Sequence, residues 1–592
     1  MKAPLKADLQ ALLSTACQSL LADAGAADAA PAAVHIENTR DPAHGDFATN
    51  LAMTLARPLK RNPRQIAEDL VARLPEDPRI ERVEIAGPGF VNIFLSAAAW
   101  QGIARTILDT GADWGFDRSG ARGRILIEFV SANPTGPMHV GHGRNAAHGD
   151  ALARILSAAG WAVTREYYVN DAGRQVDVLT VSAWLRYLEA CGETVTLPAR
   201  GYPGDYLVTT GRALCDVHGD AFRHPAAIVF ADLPTEPVEG DKDSVKQGQE
   251  RYLDALIGRA RALLGEAGYA QVRDFALESQ IATIRDTLGR FGVAFDHYAS
   301  EREVVQSGAP ARALERLRAS GHVYEADGAT WLATSALGDE KDRVLYKSDG
   351  AATYFANDLA YHEDKIERGF DALIDVWGAD HHGYIGRVRA AIQALTGRDD
   401  ALEVTLIQFV SLSSGRMGKR SGNFVTLADL IDEVGADATR FFYLSRSQDQ
   451  HLEFDLELAK SQSNDNPVYY VQYAHARICS VFGQARAQGV AVPDRADTDL
   501  LAPLTEDREQ ALLKLLARYP ETVATAAAQR APHTVSFYLR DLADALHGYY
   551  NAHKVLIDDA AVRDARLALL AATRVVLASG LGLLGVSAPE SM

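Results

Sequence analysis

Cysteine is scarce in this chain of 592 residues: four in all (Cys17, Cys191, Cys215 and Cys479), none of them in a C-x-x-C pair. That argues against a disulfide framework or a zinc ribbon, predicts no protein-held metal, and suits a reducing compartment. Long apolar runs are lacking as well, so no stretch reads as a bilayer span and no membrane partner is expected. The opening residues (Leu5, Leu9, Leu12, Leu13, Leu20 and Leu21, with Asp8 and Asp23) read as an amphipathic helix. They lack the continuous apolar core of a signal peptide, and the expected compartment is the cytoplasm. Positive charge is in deficit, with 60 Lys and Arg against 78 Asp and Glu, a net charge of −18. Such a balance argues against non-specific coating of nucleic acid, though a folded RNA held by local basic patches stays open. What remains is ordinary globular material, 47% hydrophobic and 23% charged, long enough for about three or four domains.

The chain is organised around Ser131 to His148, S-A-N-P-T-G-P-M-H-V-G-H-G-R-N-A-A-H. Before it, Arg124 to Val130 is an apolar run of strand length, of the kind buried on both faces. After it, Ala151, Leu152, Ile155, Leu156 and Ala159 form a helical stripe ending at Gly160. Val163, Arg165, Tyr167 and Val169 then alternate as a second strand. The stretch is therefore the turn of a β-α-β unit, where α/β sheets bind ligands. Gly141 and Gly143 would let a phosphate approach the amino end of the helix, and His139 and His142 would face the same anion. Taken alone, the histidine pair reads equally well as a helix cap, and the glycines as packing residues.

Along the chain, residues 1–115 read as a separate α/β module without an acid/base cluster. Residues 116–190 open the nucleotide-binding sheet, 191–340 read as an insertion, and 341–410 resume the sheet from Arg343-Val-Leu-Tyr346. Tyr354 and Asp358 stand four apart, on one face if a helix begins there. Asp371 to Trp377 reads as a buried strand, and Gly378-Ala-Asp380 just beyond it places an acid where ribose hydroxyls are held in sheets of this kind. Residues 411–466 hold a basic, glycine-flanked loop with Arg416, Met417, Lys419 and Arg420, suited to polyphosphate or simply solvated. Thr426 with Asp429 makes a capping box. Residues 467–592 read as all helix, with Tyr469, Tyr473 and Arg477 along one helix as core residues or as stacking platforms for RNA bases. The predicted fold is α/β: a doubly wound parallel sheet with an insertion, flanked by the amino-terminal α/β module and the carboxy-terminal helical domain.

In this order the segments resemble one family, the bacterial-type arginyl-tRNA synthetases among class I aminoacyl-tRNA synthetases, nearly end to end. His139-Val-Gly-His142 is similar to the first class signature, and Arg416-Met-Gly-Lys419 to the K-M-S-K loop, with Arg and Gly in place of its first Lys and its Ser. Gly378-x-Asp380 is similar to the adenosine-binding element. The resemblance implies catalytic roles for His139, His142 and Lys419, and ATP contacts at Gly141, Gly378, Asp380 and Met417 besides. It implies arginine contacts at Glu128, Ser131 and Asn133 (E-F-x-S-x-N), Tyr354, Asp358 and His382, the last where some members carry Gln. G-D-F-A-T-N from Gly45 and G-P-G-F-V-N-I-F-L from Gly87 are similar to the tRNA-elbow module, and Asn466-Pro-Val-Tyr-Tyr-Val-Gln-Tyr473 to the anticodon-binding domain, where Tyr469, Tyr473 and Arg477 would contact tRNA.

The activity implied is arginine–tRNA ligation in two steps. Arginine attacks the α-phosphorus of ATP to give arginyl-adenylate, and the terminal ribose of the tRNA then takes the arginyl group. ATP would bring Mg2+ with it, and a monomer is expected. Family resemblance also implies that tRNA must be bound before activation. Neither step needs a covalent protein nucleophile, in keeping with the lack of a Ser/His/Asp or Cys/His constellation; the work is positioning and charge stabilisation. Discrimination would rest on Asp358 and Glu128 as partners of a planar cationic fork. Three rivals remain on sequence grounds: a tRNA-free adenylate-forming ligase, a class I synthetase for another amino acid, and an inactive RNA-binding relative.

Overall fold

The structure, a computed structural model, describes residues 4–26, 28, 33–39, 41–413 and 425–592. The loop positions Arg416, Met417, Lys419 and Arg420 lie outside the described residues. The chain divides into two compact units, Gly120–Ala153 with Trp161–Ser461, and Met1–Ser119 with Arg154–Gly160 and Gln462–Met592.

The first of these is built on five parallel strands: β1 (Arg124–Glu128), β2 (Ala162–Val169), β3 (His297–Ser300), β4 (Ala372–Gly378) and β5 (Leu402–Ile407), in the spatial order β3-β2-β1-β4-β5. Ile125, Leu126 and Ile127 have no exposure, as expected of a central strand covered on both faces. Helix α1 (Val140–Ala158) follows β1, and α2 (Tyr354–Glu367) precedes β4. Thr353 caps α2 by accepting from the Ala356 N–H at 3.3 Å. Strand order reverses between β1 and β4, and the crevice beyond their carboxyl ends is where such sheets hold ligands.

Several sequence expectations are corrected. Arg343–Tyr346 does not rejoin the central sheet; it pairs antiparallel with Ala329–Leu332 in a separate three-stranded sheet. Four residues of strand pattern carry no information about their partner, and the nearest hairpin supplies one. The region 191–340 is not wholly an insertion, because it contributes β3, which pairs with β2. Lys242–Arg290, also within this region, is two helices meeting at Gly265 with φ 65°. It packs on Arg174–Ala190 around Trp184, Leu214, Phe222 and Leu253. The sheet, read as running to residue 410, ends with Ile407, and Val410–Leu412 pairs with Leu452–Phe454 instead. The thiols of Cys191 and Cys215, distant in sequence, lie 2.8 Å apart.

In the other unit, an antiparallel sheet (Glu37–Asn38, Phe47–Thr49, Phe90–Leu95, Ile80–Ala86, in that order) carries the helices of the amino-terminal module. Residues 1–119 cluster with the carboxy-terminal helices, through pairs such as Lys6–Glu521 at 2.7 Å and Lys514–Asp46 at 2.6 Å. Helix Ala560–Leu583 overturns one expectation, being long and apolar enough to cross a membrane. Leu567, Leu570, Val576 and Leu581 are fully buried among neighbouring helices, so its apolarity is that of a core helix.

Candidate active site

A cavity of about 880 Å³ opens at the carboxyl ends of all five strands. Its wall holds Glu128, Ser131, Asn133, His139, Gly141 and His142 from β1 and the turn into α1, Tyr354 and Asp358 from α2, and Gly378 and Asp380 beyond β4. Ten of the residues singled out in the sequence thus share one cavity. His382 does not: it is exposed, and its neighbour His381 is in the wall instead. Ala379–Tyr384 is a single 3₁₀ segment, in which consecutive side chains diverge by about 120°. Tyr469, Tyr473 and Arg477 belong to the other unit, on helix Pro467–Ala487. There the two tyrosine rings stack with centroids 5.9 Å apart, and the Arg477 guanidinium lies over the rings of Tyr473 and Tyr550.

The turn between β1 and α1 is strained. Val130 and Ser131 have φ of 69° and 40°, and backbone of this kind in non-glycine residues costs about 1–3 kcal/mol each. Buried Asn145 on α1 holds the turn, its Oδ1 accepting from the Val130 N–H at 2.7 Å while its amide donates to the Val376 carbonyl at 3.0 Å. One side chain so ties β1, α1 and β4 together at the point where strand order reverses. Gly143 serves packing rather than phosphate approach, since a Cβ there would lie 2.6 Å from Leu427 and 3.0 Å from the Tyr443 ring.

His139 and His142 stack with 3.7 Å between centroids. Nδ1 of His139 accepts from the backbone N–H of Gly141 at 3.0 Å, and Nδ1 of His142 from that of His139 at 3.3 Å. Both rings therefore carry their proton at Nε2 and are neutral. Burial pulls both below the usual histidine range, His142 to about 3, with the neighbouring ring adding to its shift. The pair is thus built to donate hydrogen bonds to an anion, not to bring charge to it. The helix-end N–H groups of Gly141 and His142 are directed at Nδ1 of His139.

The basic loop is anchored here at its outgoing end, where the Val140 N–H donates to the Val425 carbonyl at 3.3 Å and the Leu427 N–H to that of Met138 at 2.8 Å. Thr426 and Asp429 form the expected capping box. Val410 and Val425, on either side of the undescribed residues, both line the cavity.

Sequence reasoning missed Glu301, which follows β3 and is buried in the wall beside Asp358. Burial raises its carboxyl, and a hydrogen bond from Tyr168 works the other way. Asp358 Oδ2 is buried and has no hydrogen-bond partner among the described residues. Glu128, by contrast, is committed: Oε1 accepts from Ser131 Oγ at 2.8 Å and Oε2 from Lys365 Nζ at 2.5 Å. Glu301 is held too, by Tyr168 and Asn357, so Asp358 Oδ2 is the buried carboxylate oxygen of the wall without a partner among the described residues.

A 3-2-1-4-5 parallel sheet with the H-x-G-H turn in its crevice is the catalytic domain of a class I aminoacyl-tRNA synthetase. The family model "tRNA synthetases class I (R), catalytic domain" matches residues 106–194 and 276–463. The model of the arginyl tRNA synthetase N terminal domain matches 7–95, and that of the DALR anticodon binding domain 471–592. An arginine–tRNA ligase of Halorhodospira halophila is 56% identical over 94% of this chain and 95% of its own. One of Thioalkalivibrio sulfidiphilus is 50% identical over 99% of this chain and 100% of its own. The arginyl-tRNA synthetase structure of Thermus thermophilus, 24% identical, shares the fold over 99% of both chains with a TM-score of 0.73. The chain belongs to the arginyl-tRNA synthetase family.

Proposed function

We propose that arginine and ATP meet in this cavity, with Asp358 and Glu301 receiving the guanidinium and His139, His142 and Lys419 meeting the triphosphate. The chain is an arginine–tRNA ligase that activates arginine with ATP and passes the arginyl group to the terminal adenosine of its tRNA. The observation that carries the residue assignment is the buried, unpartnered Asp358 Oδ2 beside a second buried acid. An acceptor left in that condition costs about 1–3 kcal/mol until a donor arrives. A planar guanidinium is the donor whose shape and charge suit two carboxylates, while the ammonium of lysine and the neutral urea of citrulline do not.

Ser131 and Asn133, at the strained turn, are placed for the amino and carboxylate end of arginine, and Glu128 acts there through Ser131. Tyr354, in the first turn of α2, covers the slot. The Nε2–H donors of the histidine pair hold phosphate oxygens as the α-phosphorus is attacked, and the Lys419 ammonium neutralises charge developing on pyrophosphate. Gly141, Met417, Gly378 and Asp380 are assigned to ATP. A Cβ at residue 378 would collide with the Asp380 carboxylate, which supports a ribose-facing acid held close to the strand end. Mg2+ arrives with ATP. Residues 1–115 are assigned to the tRNA elbow and 467–592, through Tyr469, Tyr473 and Arg477, to the anticodon arm. The enzyme works as a cytoplasmic monomer.

Steady-state charging kinetics test the assignment. Asp358→Asn should raise the KM for arginine by about 10-fold or more while leaving the KM for ATP within about twofold. Lys419→Ala should lower kcat with little change in the KM for arginine. An unaltered arginine KM in both Asp358→Asn and Glu301→Gln would move the guanidinium elsewhere.

A further inference from the structure

We infer that His362 is a positioning residue for arginine recognition, a buried imidazolium that fixes Asp358 from behind and leaves one oxygen of its carboxylate for the substrate. The inference rests on the assignment of the Asp358 slot to the arginine side chain. His362 is four residues after Asp358 on α2, on the same helix face and with 1% of its surface exposed. Its Nδ1 lies 2.9 Å from the backbone carbonyl oxygen of Asp358 and 3.5 Å from Oδ1 of the same residue. Its Nε2 lies 3.0 Å from Oδ2 of Asp375 on β4.

A carbonyl oxygen cannot donate. Asp375 could donate only if protonated, and the Lys365 ammonium, 2.9 Å from its other oxygen, keeps it ionised. Neutral imidazole has one donor and one acceptor nitrogen, so a ring facing acceptors on both sides is satisfied only with a proton on each. The charged and titratable groups around it are few. From α2 itself come Asp358, Lys365 and the Tyr361 ring; from β4, Asp375; from β1, Glu128 through Lys365; and Tyr384 lies beside Asp358. Burial and Lys365 work against the ring's charge, but Asp358 and Asp375 outweigh them and the net position is raised to about 10.

Two consequences follow for the substrate. Oδ1 of Asp358 is turned toward the imidazolium while Oδ2 is buried without a hydrogen-bond partner among the described residues, so the ring engages one half of the carboxylate and the other half stays uncommitted beside the slot. Charge along the chain Asp358–His362–Asp375–Lys365–Glu128 comes to minus one, with Glu301 a further carboxyl across the slot. A neutral His362 would leave the chain at minus two and take away the charge that holds Asp358 in place.

The test combines spectroscopy and kinetics on the full-length enzyme. In protein labelled with 15N-histidine, the His362 ring is assigned by the cross-peaks lost in His362→Gln, or in His362→Asn should the first variant fold poorly. Both ring nitrogens should show the shifts of a protonated imidazolium from pH 6 to pH 9, and a neutral tautomer at pH 7.5 would overturn the inference. His362→Gln should raise the KM for arginine about 10-fold, with kcat and the KM for ATP within about twofold. If Asp358→Asn raises that KM and His362→Gln does not, the inference about His362 fails and the slot assignment stands. If neither changes it, the slot assignment itself fails, whatever the ring's charge.

Discussion

The Lys365 ammonium on α2 lies 2.5 Å from Oε2 of Glu128 at the end of β1, with the lysine fully buried and the glutamate nearly so. The pair belongs to a row of acids. In the sheet register Glu128 stands opposite Asp375 on β4 and Glu166 on β2, so three carboxylates lie abreast on three adjacent buried strands. Such a row is tolerable only because α2 lays its own side chains along it: His362 and Lys365 on Asp375, Lys365 on Glu128, and Tyr361 on Glu166, with Arg368 just past the helix also on Glu166. Burial raises the Glu128 carboxyl while Lys365 opposes it, and Asp375 is held at about 2 against burial by Lys365 and His362.

Lys365→Met should therefore be among the costly single changes in the catalytic unit. Removing one partner of a buried pair strands the other, at about 3–5 kcal/mol. Here two carboxylates share the lost cation. Thermal and denaturant unfolding should show a large drop in the midpoint, partly restored in the double variant Lys365→Met/Asp375→Asn. A loss of less than about 1 kcal/mol, typical of an exposed pair, would show that the acids are solvated.

Glu166 predicts the acid limb of stability. It accepts from the Arg368 guanidinium at 2.6 and 3.0 Å, from Tyr361 at 2.6 Å, and pairs with His297 at 2.7 Å. Burial raises its carboxyl, but His297 and Arg368 prevail and hold it well below the usual carboxylate range. A group depressed on folding contributes stability in full above its unfolded pKa, and loses it as pH falls through the folded one. The stability gap between wild type and Glu166→Gln should be widest near pH 6 and narrow steadily below about pH 4.5. A gap of constant width from pH 6 to pH 3 would contradict the pairing.

What was legible in the sequence was what local pattern encodes. Ile125 to Ile127 read as a central strand because an unbroken apolar run has few other uses, and the turn to α1 read as a ligand site because proline and glycine mark it. What depends on register was not legible. Nothing near Glu166 or Asp375 in the sequence signals that they stand beside Glu128, until β2 and β4 pair with β1. Glu301 was missed because β3 is four residues long and sits in a stretch whose irregular pattern reads as an insertion. The two readings of Gly143 could not be separated in sequence because the crowding that decides for packing comes from Tyr443 and Leu427, which arrive from far along the chain.

The segment between the two halves of the catalytic domain should affect chemistry through Tyr206. Residues 195–275 lie between the stretches matched by the catalytic model. From helix Asp205–His218 the Tyr206 hydroxyl donates to the Thr135 carbonyl at 2.7 Å, and a Cβ on Gly136 would lie 3.0 Å from that hydroxyl. The ring thus rests on the Asn133–Pro137 turn that leads to His139. Tyr206→Phe should cost only about 1 kcal/mol of stability. It should nonetheless lower kcat severalfold in charging assays, because small displacements of a positioning turn act directly on the barrier. Full activity in Tyr206→Ala would leave the segment without influence on the turn.

Arg144 should be as sensitive to its shape as to its charge. It is buried on α1, two residues past His142, and its guanidinium donates to three carbonyls: Gln408 at 2.9 Å, Gln450 at 2.7 Å and Ser447 at 2.8 Å. Burial lowers it to about 10, still charged at neutral pH. Gln408 follows β5 and lines the cavity, so this one fork joins the helix that carries the histidine pair to the segment entering the basic loop. Lysine can place a charge there but cannot present two planar nitrogens to three fixed oxygens. Arg144→Lys should therefore leave carbonyls unpaired, lower stability by about 1–3 kcal/mol, and raise the KM for ATP more than that for arginine. Equal effects on the two substrates in steady-state charging would mean that the fork supports the whole cavity rather than the wall carried by β5.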